Sequence, residues 1–324
     1  MAIQDTLERG EQVLLFQNRR GFAPQQECQS CGHVPHCKHC DVSLTYHKST
    51  HRLRCHYCGY AEKTSTNCKA CNNHDVKLKG FGTEKIEDEL IDKKIDIAVH
   101  ALKDMPSEET PKLITNCFLK RNSPEEILIT KGNKKFSELN SNAIIGTSSF
   151  RREFQLTRIR NDLNYKIIRG NIDTRISKLN NKDYDGIILS KAGIKSLNLE
   201  HLISQEFSTK EIIPCAGQGI VSIQCREDDV DIINLLRKIN DKMSSIMSQA
   251  ERKVLKILEG DCHTAVGVFS KINSDDFEIT GELFSLDGKQ RFFKVIKDKL
   301  ANYLSASTEL GEYLKKESKD SYRK

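Results

Sequence analysis

The pattern of hydrophobic and polar positions changes near residue 95 of this 324-residue chain. Beyond that point, short apolar runs alternate with stretches in which apolar residues recur every three or four positions. The apolar runs "IDIAVHAL", "NAIIGTSS", "YKIIRGN" and "YDGIILSKAG" predict strands, and "FRREFQLTRIRNDL" and "IDTRISKLNN" predict helices. Strands that alternate with helices favour an α/β fold with a parallel sheet, whose ligands bind at the carboxyl ends of the strands.

A different pattern follows towards the end of the chain. The stretch "FEITGELFSLDGKQRFFKVI" has two strand-like halves about a D-G turn. It predicts a small separate α+β domain, followed by a polar, Lys-rich helical tail.

The first 80 residues are dominated by cysteine. Eight of the chain's 12 cysteines form four C-x-x-C pairs: Cys28, Cys31, Cys37, Cys40, Cys55, Cys58, Cys68 and Cys71. Because two such turns provide the four thiolates of one tetrahedral zinc, four turns predict two structural zinc sites. A segment this short has little core, so metal binding is expected to supply much of its folding free energy.

Spacing alone leaves the pairing of these turns open. A nested arrangement joins Cys28, Cys31, Cys68 and Cys71 around one zinc and the four inner cysteines around the other, and spacing alone does not exclude a sequential arrangement. Seven of the ten histidines also lie in this segment. They are alternative ligands, although eight available thiolates favour solvated loop histidines.

Charge and hydropathy narrow the function classes only slightly. The net charge of +6 arises largely from residues 1–80, which hold 11 Lys or Arg against 7 Asp or Glu, whereas the remainder holds 40 against 38. An excess of this size is compatible with nucleic-acid binding and more typical of an ordinary solvated surface. Without an 18-residue apolar run or a signal-peptide pattern, the chain is expected to be cytoplasmic and to have no membrane contact.

Polar side chains cluster where the predicted strands end. Thr147, Ser148, Ser149, Arg151 and Arg152 follow one strand, and Arg169 and Arg175 follow the next. Hydroxyl groups, guanidinium groups and free N–H groups at helix N-termini suit a ligand with several carboxylates or phosphates. The alternative is structural, with "TSS" as a helix cap and the arginine pair as a solvated surface.

Cys262 lies in the turn-rich stretch "LEGDCHTAVG". A lone cysteine is usually a small buried apolar residue. In a loop it is also a candidate covalent attachment point.

Two resemblances account for most of these motifs. The stretch "GEQVLLFQNRRGFAP", the four C-x-x-C pairs and the following "GFGTEK" resemble the zinc-binding insertion of the primosomal replication-restart helicase family, protein N′. The resemblance implies the nested zinc pairing and contact with DNA or single-strand-binding protein. The phosphate-binding G-x-x-x-x-G-K-[ST] loop does not occur in the sequence, so ATP-driven unwinding is not expected.

The second resemblance covers about 230 residues. The segments "DIAVHALKDMP", "IIGTSSFRRE", "IIRGNIDTRISKL", "YDGIILSKAGIKSLNL", "IIPCAGQGIVSIQCRED" and "ERKVLKILEGDCHTAVG" resemble the porphobilinogen deaminase (hydroxymethylbilane synthase) family. Its members are transferases of tetrapyrrole (haem) biosynthesis that join four porphobilinogen molecules and release ammonia. The resemblance implies a monomeric enzyme with two domains like those of periplasmic binding proteins, a third α+β domain, and a dipyrromethane cofactor bound to Cys262 through a thioether.

The same resemblance assigns roles within the site. Asp104 aligns with the central catalytic residue, and Ser196 replaces a residue that is usually basic in the family. The cofactor- and substrate-binding residues implied are cationic or hydroxylated: Lys103, Thr147, Ser148, Ser149, Arg151, Arg152, Arg169 and Arg175.

The domain organisation expected from both resemblances has four parts. Residues 1–80 form the zinc module, 81–122 with 212–240 the remainder of the first deaminase domain, 123–211 the second domain, and 241–324 the third. The family's N-terminal strand with its G-T-R-x-S-x-L-A motif has no counterpart in the sequence. We therefore expect the strand that precedes Asp104 to lack sheet neighbours, and this chain alone to have weak or no deaminase activity.

Three interpretations remain open at the level of sequence. The chain is a deaminase joined behind a zinc module, a zinc-binding helicase fragment with a vestigial enzyme attached, or a non-functional fusion produced by recombination or sequence assembly. The stretch "GFGTEKIEDEL" fits both families from Phe81 to Leu90, so the junction lies there.

Overall fold

The structure is a computed structural model that describes residues 25–38, 43–47, 52–55, 60–79, 83–181, 183–259 and 264–323. Three predicted site residues, Cys40, Cys58 and Cys262, lie outside the described residues. The strands are β1 Gln25–Cys28, β2 Thr45–His47, β3 Arg52–Arg54, β4 Ala61–Lys63, β5 Val76–Lys79, β6 Ala98–Ala101, β7 Leu113–Phe118, β8 Glu126–Thr130, β9 Ile144–Gly146, β10 Asn164–Lys166, β11 Gly186–Ser190, β12 Gln205–Phe207, β13 Val221–Arg226, β14 Val266–Asn273, β15 Asp276–Phe284 and β16 Arg291–Lys299. The helices are α1 Thr83–Ile91, α2 Phe150–Ile159, α3 Ile172–Asn180, α4 Lys191–Lys195, α5 Val230–Arg237, α6 Lys242–Leu258 and α7 Tyr303–Ser318.

The Cys-rich segment, residues 25–79, contains two small antiparallel sheets. Strand β1 pairs with β5, so that Cys28 lies opposite Val76. Strands β2, β3 and β4 form the other sheet. Its small core contains Leu44 and Leu53 together with Cys37 and Cys55.

The strand that precedes Asp104 belongs to a three-stranded sheet in the order β6-β13-β7. Strand β13 runs antiparallel to both neighbours, with Ala101 opposite Val221. The prediction that this strand lacks sheet neighbours is therefore wrong, because β13 returns from a distant part of the chain to pair with it. Within the described part of the chain, β6 remains the edge strand of this sheet.

A second sheet has the order β10-β9-β11-β8-β12. Strands β10, β9 and β11 are parallel, which confirms the predicted α/β pattern. Strand β8 runs antiparallel to β11, because the chain enters it directly from β7 of the first sheet instead of through a helical crossover. This mixed α/β arrangement agrees with the predicted fold class.

Two chain crossings connect the sheets and lie side by side. Asn122 on one crossing donates its backbone N–H to the Gly219 carbonyl on the other, at 2.7 Å. Gly219 has φ +82°, and a Cβ there would lie 2.9 Å from the Asn122 carbonyl oxygen. Only glycine allows the two crossings to approach this closely.

The third sheet, β14-β15-β16, packs against α6 and α7. The predicted strands about the D-G turn are confirmed. The helical tail is also present, but it is not a polar appendage, since Ala306, Leu310 and Leu314 of α7 are buried in the core. Their four-residue spacing produces an apolar stripe on one face of the helix. Among the helices that the structure describes, none is long and apolar enough to span a membrane.

Candidate active site and candidate metal centre

Asp104 lies on a short 3₁₀ turn, Leu102–Asp104, that follows β6 directly. The Leu102 N–H donates to the Ile220 carbonyl at 3.0 Å. The Leu102 side chain is buried against Met105, Phe118 and Ile220. The turn is thus anchored by its first residue, while Asp104 itself is exposed at the end of the strand.

Lys103 connects this turn to the second sheet. Its Nζ donates to Ser190 Oγ at 3.3 Å, and Ser190 is the last residue of β11. The turn that carries Asp104 is therefore tied to the carboxyl end of β11.

Arg151 and Arg152, in the first turn of α2, are both buried. Arg151 Nη2 lies 2.6 Å from Glu126 Oε1, and Arg152 Nη2 lies 2.7 Å from Glu126 Oε2 as an ion pair without hydrogen-bond alignment. Arg151 Nη1 also donates to the Ile213 carbonyl, and Arg152 Nη1 to the Ile188 carbonyl of β11. We call these three charged residues the Glu126 node.

The Glu126 node carries two positive charges and one negative charge. Burial alone would raise the pKa of Glu126, but the charges of Arg152 and Arg151 outweigh burial and lower the pKa to about 2. One positive charge is left, and Arg152 Nε is a buried donor without a hydrogen-bond partner among the residues that the structure describes. The node is therefore suited to receive an anionic group.

The hydroxyl residues before α2 serve the helix start. Ser149 is the N-cap and its Oγ accepts from the Arg152 N–H at 3.4 Å. Thr147 is buried, and its Oγ1 accepts from the Ser149 N–H at 3.2 Å. Ser148 is exposed. The capping interpretation thus applies to Ser149, and it leaves Ser148 facing solvent near the helix N-terminus.

The two remaining arginines differ in exposure. Arg169 is exposed on the loop after β10, and its carbonyl accepts from Lys178 Nζ at 3.0 Å. Arg175, in the first turn of α3, is buried and its Nε donates to the Gly170 carbonyl at 2.8 Å. Both follow the carboxyl end of β10, as the strand pattern predicts.

Sequence reasoning missed two buried glutamates. Glu126 opens the apolar run "EILIT", and Glu251 lies within α6. Arg121 Nη1 lies 2.6 Å from Glu251 Oε1, and the Gly217 N–H donates to Glu251 Oε2 at 2.7 Å. The available signal was an acidic residue at a position where the hydrophobic pattern requires burial, since a buried carboxylate needs a cationic partner.

The candidate metal centre is formed by Cys28, Cys31, Cys68 and Cys71, whose sulfur atoms all lie within 4.8 Å of one another. Cys28 and Cys71, and likewise Cys31 and Cys68, have their Sγ atoms 3.6 Å apart. Four sulfurs at the zinc distance of about 2.3 Å would be about 3.8 Å apart, so the set fits a tetrahedral zinc. It is the outer set of the nested arrangement.

The inner set is described only in part. Cys37 and Cys55 are both buried and lie in the same apolar cluster. Their sequence partners Cys40 and Cys58 lie outside the described residues. Within the described ranges, no histidine joins the four-cysteine group.

Comparison with protein families gives three matches. The "Porphobilinogen deaminase, dipyromethane cofactor binding domain" matches residues 61–234, and the "Porphobilinogen deaminase, C-terminal domain" matches residues 246–320. The "PriA DNA helicase Cys-rich region (CRR) domain" matches residues 37–63.

Individual relatives agree with the two deaminase family matches. A porphobilinogen deaminase of Syntrophomonas wolfei is 42% identical over 214 residues, covering 66% of this chain and 70% of that protein. One of Caldicellulosiruptor saccharolyticus is 39% identical over 240 residues, covering 72% and 82%. Among solved structures, a putative methionine-binding lipoprotein of Bacillus subtilis aligns with a TM-score of 0.34 and 15% identity, covering 50% of this chain and 76% of that one, a likeness too low to support any conclusion.

Proposed function

Because the chain belongs to the porphobilinogen deaminase family, we propose that it is a hydroxymethylbilane synthase, a transferase that joins four porphobilinogen molecules and releases ammonia at each step. One observation supports this most directly. Strand β11 receives Lys103 at Ser190 and Arg152 at the Ile188 carbonyl, so cations from the Asp104 turn and from α2 meet at one strand. An enzyme that handles a polycarboxylate needs this combination of a carboxylate and several cations.

The cations suit the substrate. Each pyrrole of porphobilinogen carries acetate and propionate arms, so a growing chain accumulates negative charge. Lys103, Arg151, Arg152, Arg169 and Arg175 would hold these arms. The Glu126 node keeps a net positive charge, because its two arginines share a single carboxylate, and this excess is available for one of the arms.

Asp104 is proposed as the catalytic residue. When ammonia leaves the aminomethyl group of the substrate, positive charge develops on its pyrrole ring. A carboxylate close to the ring N–H would stabilise that charge and then assist proton removal after the new carbon–carbon bond has formed. The exposed Asp104 at the end of an anchored turn can be reached by substrate.

The residues present also fit a dipyrromethane, which carries the same carboxylate arms. When bound, this cofactor supplies the pyrrole carbon to which the first substrate is joined. Cys262 is the proposed attachment point and follows α6 in the chain. Thr147, Ser148 and Ser149 would assist the arginines at the N-terminus of α2.

We propose low turnover for this chain alone. The sheet that carries Asp104 has three strands in the described part, whereas the sheet that carries the Glu126 node has five. An edge strand is more easily displaced than a central one.

The proposed division into domains at 81–122 with 212–240, 123–211 and 241–324 follows the three sheets.

Intact mass spectrometry tests the proposal independently of turnover. Purified protein should carry a mass increment of one dipyrromethane, and Cys262→Ser should lack it. The control Cys215→Ser, which changes another cysteine of the deaminase-like part, should keep it. An unmodified wild-type mass, or an increment that survives in Cys262→Ser, would contradict the proposal.

A second activity is supported by the four-cysteine cluster and the match to the helicase Cys-rich region. We propose that the Cys-rich segment holds two zinc ions and contacts DNA or single-strand-binding protein, with the basic excess of residues 1–80 in support. Clustered thiolates of this kind are typical of reducing compartments, so a cytoplasmic location is part of the proposal.

Forked-DNA binding, measured by fluorescence anisotropy at low and moderate salt, tests that contact. Binding that weakens with salt and is lost in Cys28→Ser is expected, and identical binding by both proteins would contradict it. Helicase identity of the whole chain is not favoured, because that match ends at residue 63. Amplification of genomic DNA across codons 75 to 100 tests whether one reading frame encodes both segments.

A further inference from the structure

The loop that follows Asp104 is held from outside by a residue of α6. Arg252 Nη2 donates to the Pro106 carbonyl at 2.7 Å and lies 3.3 Å from the Ser107 carbonyl, which also accepts. A guanidinium that donates to a carbonyl forms a charge-assisted hydrogen bond, which is stronger than a bond between neutral groups. The contact joins parts of the chain separated by about 145 residues.

The loop has few backbone ties of its own. The Met105 N–H donates to the Leu102 carbonyl, and the Leu113 N–H donates to the Thr110 carbonyl. Ser222 Oγ contacts Met105 Sδ at 3.2 Å. Asp104 is thus fixed on its N-terminal side by the buried Leu102, and on its C-terminal side the Arg252 contact limits movement of the chain.

Arg252 is half-buried between the loop and the body of α6. Burial lowers its pKa, and the nearby Glu109 opposes this effect. Arginine remains charged under such conditions, so its donors need acceptors, and the two loop carbonyls provide them.

The preceding residue of α6 makes a matching contact. Glu251 is fully buried, pairs with Arg121 and accepts from the Gly217 N–H, both on the crossings between the first two sheets. Two consecutive residues therefore fix α6, Glu251 to the crossings and Arg252 to the Asp104 loop. The helix then runs to Leu258, four residues before Cys262 in the chain.

We propose that Arg252 is a positioning residue that couples the Asp104 turn to the helix leading to Cys262. It holds the catalytic carboxylate at a fixed place relative to α6, without touching substrate itself. The effect of Arg252 on catalysis rests on the proposed function. The contact between α6 and the loop rests only on the two hydrogen bonds of Arg252.

Hydrogen exchange measured by mass spectrometry tests the physical part on the full-length protein. In Arg252→Gln, peptides covering residues 102–110 should exchange at least about threefold faster than in wild type, because the loop loses its hydrogen bonds to α6. Peptides of α6 and β14 should be unchanged. The matched control Lys253→Gln, which removes the same charge one residue along the same helix, should leave the loop unchanged.

Two exchange results would overturn the proposal. Unchanged exchange over residues 102–110 in Arg252→Gln would show that Arg252 does not hold the loop. Faster exchange throughout α6, β14 and the loop would show a general role in stability instead of positioning. Hydrogen exchange can be measured whether or not the chain turns over porphobilinogen. A failure of this proposal can therefore be distinguished from a failure of the proposed function.

Steady-state kinetics test the catalytic part. Arg252→Gln should lower kcat about tenfold with KM within about twofold, since the charge-assisted hydrogen bonds to the loop are lost and no contact with the substrate arms is removed. Arg252→Lys, which keeps the charge and an N–H donor group, should recover most of kcat, and Lys253→Gln should match wild type. A raised KM with unchanged kcat, or no recovery in the lysine variant, would overturn the positioning role.

Discussion

The Cys-rich segment and the remainder of the chain are stabilised in different ways. Among the residues that the structure describes, the apolar cluster of the Cys-rich segment contains four buried residues, two of them cysteines, whereas the largest cluster of the remainder contains fourteen. Four sulfur atoms within 4.8 Å of one another supplement this small core in the first region. Buried ion pairs such as Arg151–Glu126 and Arg121–Glu251 supplement the apolar core in the second. The first region should therefore depend on metal, and the second on packing and on charge pairs.

Metal removal should have the largest effect and should separate the two regions. A structural zinc contributes on the order of 10 kcal/mol to folding of a small module, so a strong chelator should unfold residues 25–79 and leave the α/β sheets intact. Hydrogen exchange with and without chelator measures this. Loss of protection in both regions, or in neither, would contradict the prediction that only the Cys-rich segment depends on metal.

Elemental analysis gives the metal count for the same prediction. Wild type should contain two zinc ions per chain and Cys28→Ser one. Cys215→Ser, outside the Cys-rich segment, should retain both. A wild-type content of one zinc per chain would contradict the predicted inner zinc site.

Replacement of Glu126 should destabilise the second region strongly. Glu126→Gln leaves Arg151 and Arg152 buried without their counter-charge, at a cost of about 3 to 5 kcal/mol. The control Glu206→Gln removes an acidic partner of Lys191 from the neighbouring strand β12, where both side chains are partly exposed. Its cost should be below about 1 kcal/mol. Urea unfolding of both variants measures the difference, and equal costs would contradict the assigned role of the node.

Acid should reveal the same carboxylate. The pKa of Glu126 is about 2 in the folded protein, below its ordinary value of 4.5. The folded state therefore binds fewer protons than the unfolded state between these values, so stability falls as the pH drops from about 4.5 to 2. Wild type should lose on the order of 2 to 3 kcal/mol more than Glu126→Gln over this range at constant ionic strength. Parallel pH profiles of the two proteins would be inconsistent with the depressed pKa.

A smaller effect is expected from the glycine beneath the Asp104 turn. Gly217 has φ +72°, and a Cβ there would lie 2.7 Å from Leu102 Cγ. Gly132 has φ +71° and no atom within 4 Å of the same position. Both alanine variants have the same backbone strain, but only Gly217→Ala adds a steric clash. The free energy of unfolding of Gly217→Ala should therefore be about 1 to 2 kcal/mol lower than that of Gly132→Ala. Equal stabilities would show that Leu102 has room to move.

The hydrophobic pattern was sufficient to predict several strands and helices of the second region. It predicted β9, β11 and α2 close to their observed positions, because each is a local run with the right period. It could not predict the pairing of β6 with β13, whose partners are separated by about 120 residues along the chain. Pairings of this kind depend on the path of the chain, which no local pattern contains.

Among the site residues, the sequence identified the cations but not what they contact. Arg151 and Arg152 were expected to face a ligand, and the structure shows them sharing Glu126. The C-x-x-C spacing predicts eight metal ligands, whereas the nested pairing required a resemblance, and the structure brings the four cysteines of the outer set together. Arg252 lies among several charged residues of an amphipathic helix, so its contact with the Asp104 loop had no local signal.

Ammonia release from porphobilinogen, compared between wild type and Asp104→Ala, tests whether Asp104 is the catalytic residue of this deaminase. We predict slow release by wild type and release at least about 100-fold slower in Asp104→Ala, since the carboxylate stabilises the developing charge. Asp228→Ala, which removes an exposed acidic residue elsewhere, should match wild type. Equal rates in wild type and Asp104→Ala, or no release by wild type carrying its dipyrromethane, would contradict the account.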